Sequence, residues 1–308
     1  MRENTFKIDG LDGHKIFVAS WMPENNEKIN GVVQINHGMA EHCLRYRDFA
    51  KFLTDNGYGV YAHDHRGHGQ SLDVEEDIGF FNDKEGWNNV IDEAYKVTEH
   101  IKRENKNTDI FVLGHSMGSL ITRGYIQKYG NEVKGAVISG TSATKGFLGV
   151  AGIGVARLIC LTKGNRHKSK LLTDLSFGSF NKKFAPNKTE YDWLSRDEQQ
   201  VKKYVDDEKC GFMCTSRFYV DLLKGLSNIS KKRNILKTPK NLPILFISGD
   251  NDPVGDMGKG IKKITDTYKS LGYNVKVILY EGGRHEIINE TNNSVVYDDI
   301  VGFINSLK

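Results

Sequence analysis

The sequence has no long apolar run. Nowhere does it approach the roughly 18 uninterrupted apolar residues that a membrane-spanning helix requires. The first ten residues, M-R-E-N-T-F-K-I-D-G, carry no apolar core, so no secretory signal peptide is expected. Cysteine is scarce. Cys43, Cys160, Cys210 and Cys214 include no C-x-x-C pair, which excludes a dense disulfide framework. The expected setting is a reducing cytoplasm, with peripheral attachment to a membrane left open. Cys210 and Cys214 would lie one turn apart on a helix. No His or Cys pair follows at zinc-site spacing, so they read as packing residues. Net charge is only +4 over 308 residues, and the basic residues are scattered, so no nucleic-acid partner is expected. Internal repeats and low-complexity tracts are also missing.

What is present suits a packed core: 38% hydrophobic and 27% charged residues. The length allows one large α/β domain with an insertion, or two small domains. Short apolar runs bounded by glycine and turn residues predict strands at Thr5–Ile8, Lys15–Trp21, Val32–Asn36, Gly59–Ala62, Ile110–Leu113, Ala136–Ser139, Ile244–Ser248 and Val275–Tyr280. The first two alternate and predict a hairpin around Asp9–Gly13. The later ones are continuous, as parallel strands covered on both faces should be. Between them, periodic apolar positions such as Phe49, Phe52 and Leu53, or Val90, Ala94, Val97 and Ile101, predict helices. Strand–helix–strand repetition implies right-handed crossovers and a mostly parallel sheet.

The rhythm breaks once. From Thr141 to Thr238 the patterns are helical, with no credible strand. A structureless loop of that length is improbable, so an inserted helical cap is expected. The division is then 1–140 and 239–308 for the two parts of the core, and 141–238 for the cap. The stretch Phe147–Leu161 is apolar nearly all round, with Arg157 its one charge. Two readings stand: a cap helix packed on the core, or a surface facing lipid or an acyl chain.

The chemistry centres on Gly114-His115-Ser116-Met117-Gly118. Ile110–Leu113 is a strand and Met117–Tyr129 has helical patterning. A serine at that joint must take a strained turn with its side chain pushed off the sheet edge. Small neighbours two residues to either side let the backbones nearly touch. The helix adds its positive end beside the hydroxyl. A serine nucleophile needs a base at the same sheet edge, and His285 follows the last strand in a glycine-rich loop. The base needs a carboxylate to orient it. Asp250, Asp252 and Asp256 compete after Ile244–Ser248. Asp252 is preferred, because Asp250 lies almost on the strand and would bond local backbone. The oxyanion of acyl transfer calls for backbone N–H donors. After Val32–Asn36, Gly38 allows close approach, which nominates Met39 together with Met117.

Four stretches carry a resemblance: H-G-M-A-E-H-C-L-R-Y (37–46), A-H-D-H-R-G-H-G-Q-S (62–71), G-H-S-M-G (114–118) and Y-E-G-G-R-H-E (280–286). They resemble the monoacylglycerol lipase and lysophospholipase branch of the α/β-hydrolases. The resemblance covers the core and is vague across the cap. It implies an α/β-hydrolase fold: an eight-stranded, mostly parallel sheet with helices on both faces and a helical cap. It implies a serine ester hydrolase of EC class 3.1.1 with catalytic Ser116, Asp252 and His285. Met39 and Met117 are the implied oxyanion donors. Glu41, Arg45 and His115 would line or support the pocket near the alcohol side, and Tyr204 would meet the glycerol end from the cap. Neither cofactor nor metal is implied, and the partner is a small lipid ester. One departure touches glyceryl specificity. Lipases of the branch can carry a second histidine three residues after the catalytic one, where this chain has Ile288.

Rival readings are weaker. His63-Asp64-His65-Arg66-Gly67-His68 suggests a metal motif, but Gly67 stands where an acid is needed, so a loop fixed by Asp64 and Arg66 is expected. The glycines at 149, 152 and 154 follow no strand, against a dinucleotide loop. A non-catalytic binder would have no use for a Ser–His pair. A general carboxylesterase, or a peptidase using Glu41 to anchor a free amine, remain alternatives of the same fold.

Overall fold

The computed structural model describes residues 1–24, 28–144 and 147–308, with the side chains of Phe147 and Leu148 outside the description. Eight strands form one sheet: β1 (Arg2–Asp9), β2 (Lys15–Met22), β3 (Val32–Asn36), β4 (Gly59–His63), β5 (Ile110–His115), β6 (Gly135–Ser139), β7 (Ile244–Gly249) and β8 (Val275–Tyr280). Their spatial order is β1-β2-β4-β3-β5-β6-β7-β8. The β1–β2 and β2–β4 pairs are antiparallel, and every later pair is parallel. β1 begins at Arg2, earlier than the apolar pattern predicts. It is an edge strand with Arg2–Thr5 exposed, so its pairing with β2 leaves no hydrophobic trace at that end.

Side-chain alternation explains the continuous apolar runs of the central strands. On β5, Ile110 and Val112 join one core, while Phe111 and Leu113 join the other. Helices α2 (Gly86–Glu104), α3 (Met117–Tyr129) and α9 (Lys259–Ser270) cover the first face. Helices α1 (Arg47–Asp55) and α10 (Asn293–Asn305) cover the second.

Among the described residues five α-helices lie between β6 and β7, which are sheet neighbours: α4 (Phe147–Lys163), α5 (Lys170–Phe177), α6 (Glu198–Asp206), α7 (Ser216–Ile229) and α8 (Lys232–Ile235). The β-pairing found there among the described residues is one isolated bridge, Lys168 with Thr215. Side-chain caps start three of these helices: Ser169 accepts from the Leu172 N–H, Asp197 from the Gln199 and Gln200 N–H groups, and Thr215 from that of Phe218. Helix α4 packs on α7 through Gly152, where a Cβ would sit 3.2 Å from the Leu223 methyl. Its other side is bare, with Val150 62%, Leu158 61% and Leu161 85% exposed. One side of that apolar stretch is thus packed and the other exposed.

Cys210 and Cys214 do not share a helix. Gly211, at φ 68°, turns the chain between them, and both lie in the irregular segment joining α6 to α7. Cys214 is fully buried and Cys210 half-buried.

Candidate active site

Ser116 stands between β5 and α3 with φ 52° and ψ −119°, a conformation that costs a non-glycine residue energy. The two flanking glycines are sterically required. A Cβ on Gly114 would lie 2.2 Å from the Gly118 carbonyl oxygen, and one on Gly118 would lie 2.0 Å from that of Asn36. Strands β3 and β5 and helix α3 thus meet at backbone contact under the serine.

Across the sheet edge, His285 Nε2 is 2.8 Å from Ser116 Oγ. Its Nδ1 is 2.9 Å from Asp252 Oδ1. Both residues are buried, His285 2% and Asp252 0% exposed. Asp252 also accepts from the Val254 N–H at 2.8 Å and the Ser248 hydroxyl at 3.2 Å. Of the competing acids, Asp250 is bound to the β8 loop, accepting from the Gly282 N–H at 2.8 Å. Asp256 is exposed in a turn with φ 52°. Burial works against the charged form of Asp252, yet the His285 charge and hydrogen bond outweigh it and hold the carboxyl below its usual value. Burial likewise depresses His285, and Asp252 overcomes it, so the imidazole is more basic than free histidine. His115 lies alongside, ring centres 4.7 Å apart, and burial brings its own imidazole down to about 3, keeping it neutral.

The β3 loop closes over the serine. A Cβ on Gly38 would sit 3.2 Å from Ser116 Cβ. The next N–H, of Met39, and that of Met117 at the start of α3 have no acceptor among the described residues. Among the described residues both N–H groups are thus unpaired, and Met39 and Ser116 line the same cavity.

A cavity of about 510 Å³ opens above Ser116 and His285. Glu41, His115 and Tyr204 line it, as does Ile288's near neighbour Glu286. Ile288 itself is 4% exposed and packed in the second core, outside the cavity lining. Arg45 supports the cavity and does not line it: it bonds Glu41 and Glu286 and stacks under the Tyr204 ring at 4.8 Å. Tyr204 OH donates to the Ala40 carbonyl at 3.0 Å and accepts from the Gly211 N–H at 3.1 Å, tying α6 to the oxyanion loop.

Two site residues escaped the sequence reading. Trp193, from the β6–β7 insertion, lies 5.2 Å from the His285 ring, and its carbonyl accepts from the His285 N–H. No periodicity marks it. Glu286 had a signal, a carboxylate adjacent to the candidate base. The loop 63–68 is held by Asp64, which accepts from the Cys43 and Gln70 N–H groups at 2.7 and 2.6 Å, and by Arg66 on Glu93. Among the described residues, the one group with metal-ligand spacing is His42, Asp207 and Cys210, within 4.8 Å of one another. There His42 and Asp207 already satisfy each other at 2.8 Å, and burial pushes the Cys210 thiol up, away from the ligating thiolate.

A family model described as serine aminopeptidase, S33, matches residues 27–292. The chain belongs to this hydrolase family. It is similar to the monoacylglycerol lipase of Mycolicibacterium smegmatis, 28% identical over 96% of this chain and 94% of that protein. The monoglyceride lipase of Homo sapiens is 25% identical over 93% of this chain and 86% of its own. These matches put the chain in the monoacylglycerol lipase branch of the α/β-hydrolases. Among solved structures, a thermostable carboxyl esterase from Bacillus coagulans in complex with glycerol superposes with TM-score 0.91 at 26% identity, covering 100% of this chain and 99% of that one.

Proposed function

We propose that the protein hydrolyses the carboxylic ester of a monoacylglycerol or lysophospholipid through an acyl-enzyme on Ser116. The observation that carries this is the unbroken series Ser116 Oγ, His285 Nε2, His285 Nδ1, Asp252 Oδ1, at 2.8 and 2.9 Å. His285 takes the hydroxyl proton as Oγ attacks the ester carbon. The Met39 and Met117 amides hold the oxyanion, and the imidazolium returns its proton to the departing alcohol. Water, deprotonated by His285, then releases the acid. No step asks for a cofactor or a metal.

Residues 141–238 serve as the cap over this site, between core parts 1–140 and 239–308. Its side chains Phe177, Phe212, Met213 and Tyr219 give the cavity an apolar wall for an acyl chain. The relatives named as monoacylglycerol lipases support the glyceryl ester. So does the glycerol bound by the Bacillus coagulans esterase. Exposed Leu158, Leu161, Leu171 and Leu175 on α4 and α5, with Lys163 and Lys170 nearby, favour a transient seat on a membrane surface.

That esterase relative also keeps a general carboxylesterase in view. A p-nitrophenyl ester series decides: a maximum at medium or long acyl chains is expected, and a maximum at acetyl removes the lipase reading. Aminopeptidase action is disfavoured by Glu41. Its Oε1 accepts from the Gly38 N–H and the Tyr46 hydroxyl and its Oε2 from Arg45, so a substrate amine would have to compete with the buried guanidinium for the remaining site on Oε2.

A further inference from the structure

Arg45 joins two loops that the reaction must hold in register. Its Nη1 and Nη2 donate to the two oxygens of Glu286, each at 2.8 Å, in a bidentate pair. It also bonds Glu41, whose other oxygen accepts from the Gly38 N–H next to the oxyanion donor Met39. Glu286 directly follows His285. Its N–H donates to the Leu194 carbonyl of the cap at 2.7 Å, and Asn289 donates to its Oε2 at 2.9 Å. All three charged side chains are nearly sealed from solvent: Arg45 10%, Glu41 3% and Glu286 6% exposed.

We propose that Glu286 is a positioning residue for His285, fixing the base loop to the oxyanion loop through Arg45 and supplying a second fixed negative charge beside the imidazole. The inference rests on the hydrolase reading above. The groups facing His285 are Asp252 on Nδ1, neutral His115 alongside, and Glu286 with Glu41, the last two sharing Arg45. Burial opposes charge on Glu286, and the Arg45 guanidinium more than offsets it, bringing the carboxyl to about 2, so Glu286 is ionised throughout the working range. Glu41 is pushed the other way, by burial first, with Arg45 opposing and Glu286 adding to the rise. Glu286 is therefore the member of the pair whose charge persists. It stabilises the imidazolium formed when Ser116 is deprotonated. A lone Asp–His pair would also leave the base loop free to drift from the oxyanion donors.

The test is an NMR titration of the His285 ring in the full chain, beside the pH profile of kcat/KM on an ester that is turned over. In Glu286→Gln, Arg45 keeps Glu41 as a partner, which favours folding. The His285 midpoint and the acid limb should fall by on the order of half to one pH unit, the effect of one charge several ångströms away at an intermediate dielectric. Glu286→Asp keeps the charge but withdraws it from Arg45, so the midpoint should hold while kcat drops about tenfold or more. An unmoved midpoint in Glu286→Gln, or full turnover in Glu286→Asp, overturns the proposal. If the wild-type chain cleaves no ester, the hydrolase reading fails, and the titration still decides the role of Glu286.

Discussion

His63, at the end of β4, is a buried group that pH can turn against the fold. It is 1% exposed, and neither ring nitrogen has a hydrogen-bond partner. Burial alone brings its imidazole from 6.5 to about 3. The sign follows from proton linkage. Below pH 6.5 the unfolded chain binds a proton at this position, and the folded chain does not until about pH 3. The contribution to stability is complete above 6.5 and is lost as pH falls through that window. At about 1.4 kcal/mol per pH unit, the loss is about 2 kcal/mol at pH 5 and about 3 kcal/mol at pH 4. His37, His65 and His68 lie in the same cluster and act in the same sense, with His68 brought to about 4. His63→Leu isolates one member. It removes no hydrogen bond and keeps a buried side chain of similar size. Urea unfolding from pH 8 to pH 5 should show wild type and variant drawing apart by about 2 kcal/mol in favour of the variant. A difference that stays constant across that range refutes the argument.

Asp252→Asn should lower kcat by about 10⁴-fold, because the imidazole loses its orienting carboxylate. Asp250→Asn should cost far less, since Asp250 accepts from the Gly282 N–H alone among the described residues; steady-state ester hydrolysis compares the two. Gly118→Ala should abolish activity and lower the unfolding midpoint, because its Cβ would meet the Asn36 carbonyl oxygen at 2.0 Å; wild-type turnover in that variant contradicts the packing under the serine.

The sheet was legible because its central strands alternate into two cores and are buried at every position and mostly apolar. The ends of β1 were not, since exposed polar residues can pair with a neighbour without leaving a pattern. Ser116 was legible from glycines that only backbone contact requires, and His285 and Asp252 from their places after the last two strands. The choice between Asp250 and Asp252 was closer, because it turns on which side of one short loop each carboxylate faces. The roles of Trp193 and Glu286 depend on how the insertion folds back over the core. Contacts between elements far apart in sequence leave no local period. The separation of Cys210 from Cys214 was hidden for a different reason: one glycine at positive φ converts a helical spacing into a turn.

The most direct measurement of the central claim is labelling with a fluorophosphonate probe, followed by mass mapping of the modified peptide. The account predicts one stoichiometric adduct on Ser116, with labelling greatly slowed in His285→Ala. An unmodified Ser116 in active wild-type protein, or an adduct on another residue, contradicts it.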